Sequence, residues 1–232
     1  MAGTAKPGYG TPNWEMLQRW LALPAEDDGP FWALNLMKYR AVATYGDDHD
    51  GAAVSGKEAD DAYAPLGPLA AIGAIVVYHG DVLEQRAGDP AWDRVGIVRY
   101  PTRAAFFAMQ QRDDFKDQHV HKEAGMEFTI VMACHPDGTA GDGAADGRLA
   151  LVVTRGGVAP PVVDGVEPVV AGTVEGVIVG DDRSFDRMWF ATVRDDAALD
   201  ALVAAVGAAD EAHVLVVDRS VDRLVGSVGT PA

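Results

Sequence analysis

Apolar residues recur along the chain in short blocks separated by Gly, Pro and acidic residues, and the spacing within each block predicts its conformation. The first block, Trp14, Leu17, Trp20 and Leu21, has the spacing of one helical face and is closed by Pro24 and Glu26-Asp27-Asp28-Gly29. Two tryptophans suit a packed segment better than a free tail, so residues 1–30 read as an arm lying on the body. Residues 31–38 (FWALNLMK) form a compact apolar run, the mark of a buried strand, and a Gly-, Asp-, Ala- and Ser-rich loop follows over 40–57. Residues 58–72 predict a helix that Pro65, Gly67 and Pro68 bend or interrupt. Residues 74–84 (AIVVYHGDVLE) and 92–100 (WDRVGIVRY) are rich in β-branched and aromatic side chains and flank a turn at 86–90, which predicts an antiparallel hairpin. Pro101-Thr102 open a helix over 104–111 with Phe106, Phe107 and Met109 on its apolar face, and residues 127–134 (EFTIVMAC) form another strand. From residue 31 the order is β-α-β-β-α-β, the ferredoxin-like unit.

Residues 136–147 (PDGTAGDGAADG) carry no apolar side chain larger than alanine and read as a linker. Beyond it, strands are predicted at 149–154, 172–179, 188–193 and 213–217 and a helix at 197–206. The first helix of a second unit is missing, because 156–168 contains Pro160-Pro161 and too many β-branched residues. Residues 92–106 lie over 185–199 without a gap, and both stretches are strand-to-helix passages opening with aromatic-Asp-Arg. Recurrence of Asp93-Arg94 as Asp186-Arg187 points to a structural turn or ion pair, so neither pair is assigned to a site. The expected fold is α+β: two tandem ferredoxin-like units, 31–135 and a degenerate 148–232, preceded by the arm.

Composition narrows the setting. A hydrophobic fraction of 48% with 23% charged residues belongs to a folded globular chain. The net charge of -16, from 35 acidic and 19 basic side chains, would repel a phosphate backbone, so no nucleic-acid partner is expected. Cys134 is the single cysteine, which leaves neither an internal disulfide nor a Cys-pair zinc site and fits a reducing, cytoplasmic setting. No apolar run reaches the roughly 18 residues of a membrane span, and no basic-then-apolar leader opens the chain.

The strand with Asn35-Leu36, the helix bearing Tyr63, the hairpin from Gly73 to Gly80, Val98-Arg99-Tyr100-Pro101, Phe106-Phe107-Ala108-Met109 and Asp113-Asp114-Phe115 together resemble a family of unknown function, numbered thirteen-thirty, in the dimeric α/β barrel superfamily. The resemblance covers residues 31–135. It implies that two ferredoxin-like units pair their sheets into one barrel with a pocket between sheet and helices. Carrying two units, this chain would close the barrel internally, as a pseudo-dimer. The superfamily includes cofactor-free monooxygenases, isomerases, cyclases, haem enzymes and sensors, so the fold does not name a reaction.

Several residues are candidates for chemistry. His79 lies in a strand next to Tyr78, with alternation sending the two to opposite faces, and its near-neutral pKa suits an acid or base; the alternative is a hydrogen-bonded structural histidine. Tyr63 is its expected partner in catalysis. Asn35 and Tyr39 are polar tips in apolar surroundings, suited to orienting a small hydrophobic ligand or to capping a buried hydrogen bond. His119 and His121 would share a face, and a ligand or metal, on an extended segment, and would diverge on a helix. Gly141, Gly143 and Gly147 follow no strand and open no helix, so they form no phosphate loop, and no Gly-x-Ser-x-Gly elbow exists. The leading expectation is a cofactor-free enzyme performing proton transfer, cyclisation, isomerisation or oxygenation on a hydrophobic, enolisable metabolite. The alternatives are a non-catalytic ligand-binding or accessory protein and a haem or metal enzyme. Monomer and homodimer both fit.

Overall fold

In the computed structural model, which describes residues 8–46, 53–139, 141, 146–156, 159–207 and 209–228, side-chain alternation decides which way each strand faces. In β2 (Phe31–Tyr39), Trp32, Leu34 and Leu36 join one buried cluster while Phe31 and Ala33 join another. The first cluster draws on strands from both halves of the chain, among them Ile97, Met132, Leu151, Phe190 and Leu215, and fills the inside of a barrel. The second cluster lies outside, under the helices of the first half, and a third, with Trp189, Leu199 and Leu202, lies outside in the second half.

The remaining strands are β1 (Thr11–Pro12), β3 (Ile75–Ala87), β4 (Arg94–Tyr100), β5 (Met126–Thr139), β6 (Arg148–Arg155), β7 (Val166–Gly180), β8 (Arg187–Val193), β9 (Glu211–Val217) and β10 (Val221–Asp222). The helices are α1 (Trp14–Leu21), α2 (Gly56–Ala62), α3 (Leu66–Ala71), α4 (Arg103–Gln111), α5 (Asp113–Gly125) and α6 (Asp196–Val206). The sheet runs β7-β5-β2-β4-β3-β9-β6-β8, and the β7–β8 pairing closes it into an eight-stranded barrel. Thus the first half contributes β5-β2-β4-β3 and the second β9-β6-β8-β7, all neighbours antiparallel. The halves meet where β3 pairs with β9 and β5 with β7. β3 and β7 are long enough, at 13 and 15 residues, to pair within their own half at one end and across the junction at the other.

The Asp-Arg echo has a geometric meaning. Asp93 donates its backbone N–H to Met37 O and accepts from Tyr39 N on its carboxylate at 2.7 Å, and its carbonyl accepts from Val82 N. Asp186 repeats each bond: N–H to Thr154 O, carboxylate from Gly156 N at 2.7 Å, carbonyl from Val174 N. Each aspartate therefore closes the start of one strand onto the ends of two others.

The predicted 58–72 helix is divided into α2 and α3, with Pro65 at the N-cap of α3, as the loss of its N–H requires. The linker starts later than residue 136, because β5 continues to Thr139 and pairs with β7; residues 140 and 142–145 of that stretch, and 47–52 of the 40–57 loop, lie outside the described residues. The arm packs as expected but with a different face: Met16, Leu17 and Trp20 are buried, whereas Trp14 and Leu21 are exposed. It is tied across the chain by Glu175, which accepts hydrogen bonds from Trp20 Nε1 and Arg103 at 2.6 Å each and contacts His135.

Two outcomes follow from these bonds. Asp93→Ala leaves the half-buried Tyr39 N–H unpaired and is expected to lower stability by about 1.5 kcal/mol, with a smaller loss for Asp186→Ala, whose bond faces solvent; urea denaturation of both variants measures the difference. Burial alone would raise the Glu175 pKa, but the bonds from His135, Trp20 and Arg103 outweigh it and hold the carboxyl at about 2. A depressed carboxylate stabilises the fold fully above its ordinary value and loses that contribution as pH falls through its folded value. The stability gap between the parent protein and Glu175→Gln should therefore shrink between about pH 4.5 and pH 2; a constant gap across that window would refute the assignment.

Candidate functional site

Across the outer face of the first half, register places His79 opposite Gly96, Gly96 opposite Asn35, and Asn35 opposite Val131. The strands are central, yet His79, Gly96 and Asn35 each keep part of their surface in solvent, while Phe31, Ala33 and Tyr100 on the same face are buried. The helices do not close over this row, and we call the partly exposed strip the recess. Gly96 lies in this row against Met37, whose Cε would stand 3.2 Å from a Cβ at position 96.

The second half shows the same place filled. Aligning Asp93 with Asp186 sets Gly96 on Trp189, Asn35 on Val152 and, across the β7–β8 register, His79 on Ala171. Trp189 is 1% exposed and packs in the third cluster with Val152, Leu199 and Leu202. At the matching place in the second half an indole packs where the first half has Gly96 beside Met37, and the polar His79 and Asn35 are replaced by Ala171 and Val152.

Walls come from α2, α5 and the arm. Gly56 of α2 and Gly125 of α5 sit so close that a Cβ on either would meet the other's backbone at 2.3 Å, and this close crossing draws Tyr63 toward α5. Tyr63, at the C-cap of α2, makes edge contacts with Phe115 and His119. Its hydroxyl has no hydrogen-bond partner among the described residues, and burial raises its pKa, so it remains a proton donor. His79 also has no hydrogen-bond partner among the described residues. Burial, followed by the Arg94 charge, lowers its pKa against smaller opposing contributions from Asp60, Asp81 and Asp61, leaving a neutral imidazole at neutral pH.

Tyr39, expected to contact substrate, has its hydroxyl committed: it donates to Asp60 at 2.5 Å beneath the guanidinium of Arg94. Arg94 is itself buried and bound by Asp60, Asp61 and Asp81 at 2.7–3.2 Å. This network forms one side of the recess and borders an open groove of about 490 Å³ that also touches Ser55 and Lys57.

His119 and His121 lie on α5 and not on an extended segment, so they do not share a face. His119 Nε2 meets the Tyr9 hydroxyl at 3.0 Å, and His121 Nδ1 meets the Tyr45 hydroxyl at 2.8 Å. Burial pushes the His119 pKa down to about 4, and its Nδ1 is buried without a partner. Among the described residues, no three His, Cys, Asp or Glu side chains converge as a metal site.

The residue that sequence reading passed over is Lys122. One helical turn beyond His119, it turns inward: Nζ lies 3.5 Å from Asn35 Oδ1, 5.8 Å from the Tyr9 ring centre and 5.6 Å from that of Tyr63. Burial lowers its pKa, with Asp60 opposing. No local motif marks it, since Gln118 to Glu123 reads as a solvated polar run.

No family model matches the chain, and no curated protein matches it. The likeness to the thirteen-thirty family therefore rests on the short motifs alone. Among solved structures the chain is similar to RPA0582, a protein of unknown function from Rhodopseudomonas palustris, at 29% identity over 54% of this chain and 95% of that one, with a TM-score of 0.46. It is also similar to a mutant chlorite dismutase from Candidatus Nitrospira defluvii, at 10% identity over 86% of this chain and 94% of that one, with a TM-score of 0.43. No helix among the described residues is long and apolar enough to cross a membrane.

The Gly96 and Trp189 exchange can be tested in both directions. Gly96→Trp requires the flexible end of Met37 to shift from its place 3.2 Å from the new Cβ, and should lose affinity for any small molecule taken by the parent protein. Trp189→Gly should cost about 3–5 kcal/mol, the usual penalty for deleting a buried aromatic side chain. Thermal unfolding and ligand-binding measurements on the two variants separate these effects.

Proposed function

We propose that the chain is two fused ferredoxin-like units in the manner of the dimeric α/β barrel superfamily, and that the recess of the first unit is the active site of a small-molecule enzyme. The observation that carries this reading is the partly exposed row of His79, Gly96 and Asn35, where the second unit has the buried Trp189 opposite Val152 and Ala171. The second unit acts as the structural partner that completes the barrel.

The chemistry that fits is proton transfer on a hydrophobic, enolisable metabolite, the step shared by isomerisation, cyclisation and cofactor-free oxygenation. A neutral His79 with both ring nitrogens free can take a proton from a carbon next to a carbonyl. The Tyr63 hydroxyl can donate toward the oxygen on which charge then develops, and Asn35 can orient the substrate from the floor. Two strand spacings, roughly 10 Å, separate the backbones of His79 and Asn35, a span suited to a compact ring system.

One observation favours a non-catalytic binding role. No described residue holds the His79 ring by a hydrogen bond, whereas a catalytic base is usually oriented by a third group. Turnover decides between the readings. With an identified substrate, His79→Ala is expected to lower kcat by about 100-fold or more, and Tyr63→Phe to lower it less with little change in fold. Binding without turnover, or unchanged kcat in both variants, would support the accessory role.

A further inference from the structure

We propose that Lys122 is an anion anchor, and that the molecule taken by the recess is a small hydrophobic carboxylate whose charged group rests on the Lys122 ammonium between the Tyr9 and Tyr63 rings. The inference deepens the reading of the recess as the ligand site and depends on it.

A lysine on a helix ordinarily extends its amine to water. Lys122 instead brings Nζ against Asn35 Oδ1 at 3.5 Å, the long limit of a hydrogen bond, and against two aromatic faces. Carboxylates outnumber amines and guanidinia by 35 to 19 in this chain, and Lys38, Lys57 and Lys116 each have one within ion-pair distance. Among the described residues, Lys122 has none. Asp60, whose charge reaches it, is already bound to Tyr39 and Arg94. The result is a partly desolvated cation with a weak neutral acceptor, two π faces and unspent N–H donors. Such a group is costly unless a bound anion completes it.

The same surroundings select the kind of anion. Tyr9, Tyr63 and Phe115 provide flat apolar walls, which suit an aromatic or short aliphatic body. A phosphate dianion would need a second cation, and the guanidinium nearest the recess, Arg94, is spent on Asp60, Asp61 and Asp81. A single negative charge matches the single free ammonium.

The test uses the full chain at low ionic strength, with benzoate and phenylacetate as probes and benzamide and phenylacetamide as their neutral isosteres, followed by calorimetry and by chemical-shift changes. The acids should bind the parent protein at least about ten-fold more tightly than the amides. Lys122→Met should remove that preference, and Lys122→Arg, which keeps the charge, should retain it. Equal binding of acids and amides, failure of any acid to bind, or an undiminished preference in Lys122→Met would overturn the proposal. The parent protein's acid-over-amide comparison stands even if Lys122→Met does not fold. Gly96→Trp keeps the two readings apart: loss of acids and amides together places both in the recess, while unchanged binding of both probes refutes the recess as the site.

Discussion

The fold depends on closure of the sheet. A strand edge in water presents a row of unpaired N–H and C=O groups, and each half of this chain has two such edges. β3 covers β9 and β5 covers β7, so each half supplies the partner strands that the other lacks. Closure also creates the interior. Leu34, Ile97 and Met132 from one half meet Leu151, Phe190 and Leu215 from the other, and an open half would expose that whole face. The two aspartate clasps at Asp93 and Asp186 set the strand starts on which these pairings rely.

The shared interior is lined by buried apolar side chains, and the polar candidates lie on the outer face of the first half. Variation is left to the two outer faces, and they diverge. The second half places α6 over Trp189 and a largely apolar layer. The first half spreads α2, α3, α4, α5 and the arm over its sheet and leaves the row of His79, Gly96 and Asn35 partly uncovered. The exchange of an indole in one half for a glycine beside Met37 in the other is part of that difference.

Charge placement reinforces the division. The acidic excess is largely solvated, and where it is drawn inward it clusters on Arg94, which binds three carboxylates. Burial, with the Arg94 charge beside it, keeps the His79 imidazole uncharged against the smaller pull of the three carboxylates. The cluster on Arg94 also removes Asp60 from reach as a partner for Lys122. The recess therefore holds one neutral base and one unpaired cation on opposite sides of Gly96, an asymmetric environment suited to a polarised ligand.

Much of this was legible along the chain, and the reason for the rest is physical. Strands are readable when their apolar runs bury both faces, as in residues 31–38 and 149–154, and the absence of a helix after Thr154 was readable from Pro160-Pro161. The gapless echo of residues 92–106 in 185–199 even contained the pairing of Gly96 with Trp189, though only the register across three strands shows that this pairing opens one face and fills the other. α5 was not readable as a helix. Its buried residues are Phe115, Ala124 and Gly125, too few and too widely spaced to make a periodic stripe, and its helicity is fixed by packing on α2 at Gly56. With that helix came the divergence of His119 from His121 and the inward turn of Lys122. The sequence by itself determined the barrel strands and their order along the chain, because burial of apolar runs is a local and repeated signal. Only the tertiary structure decided which polar groups share the recess, because that depends on where a close helix crossing and one missing side chain leave room.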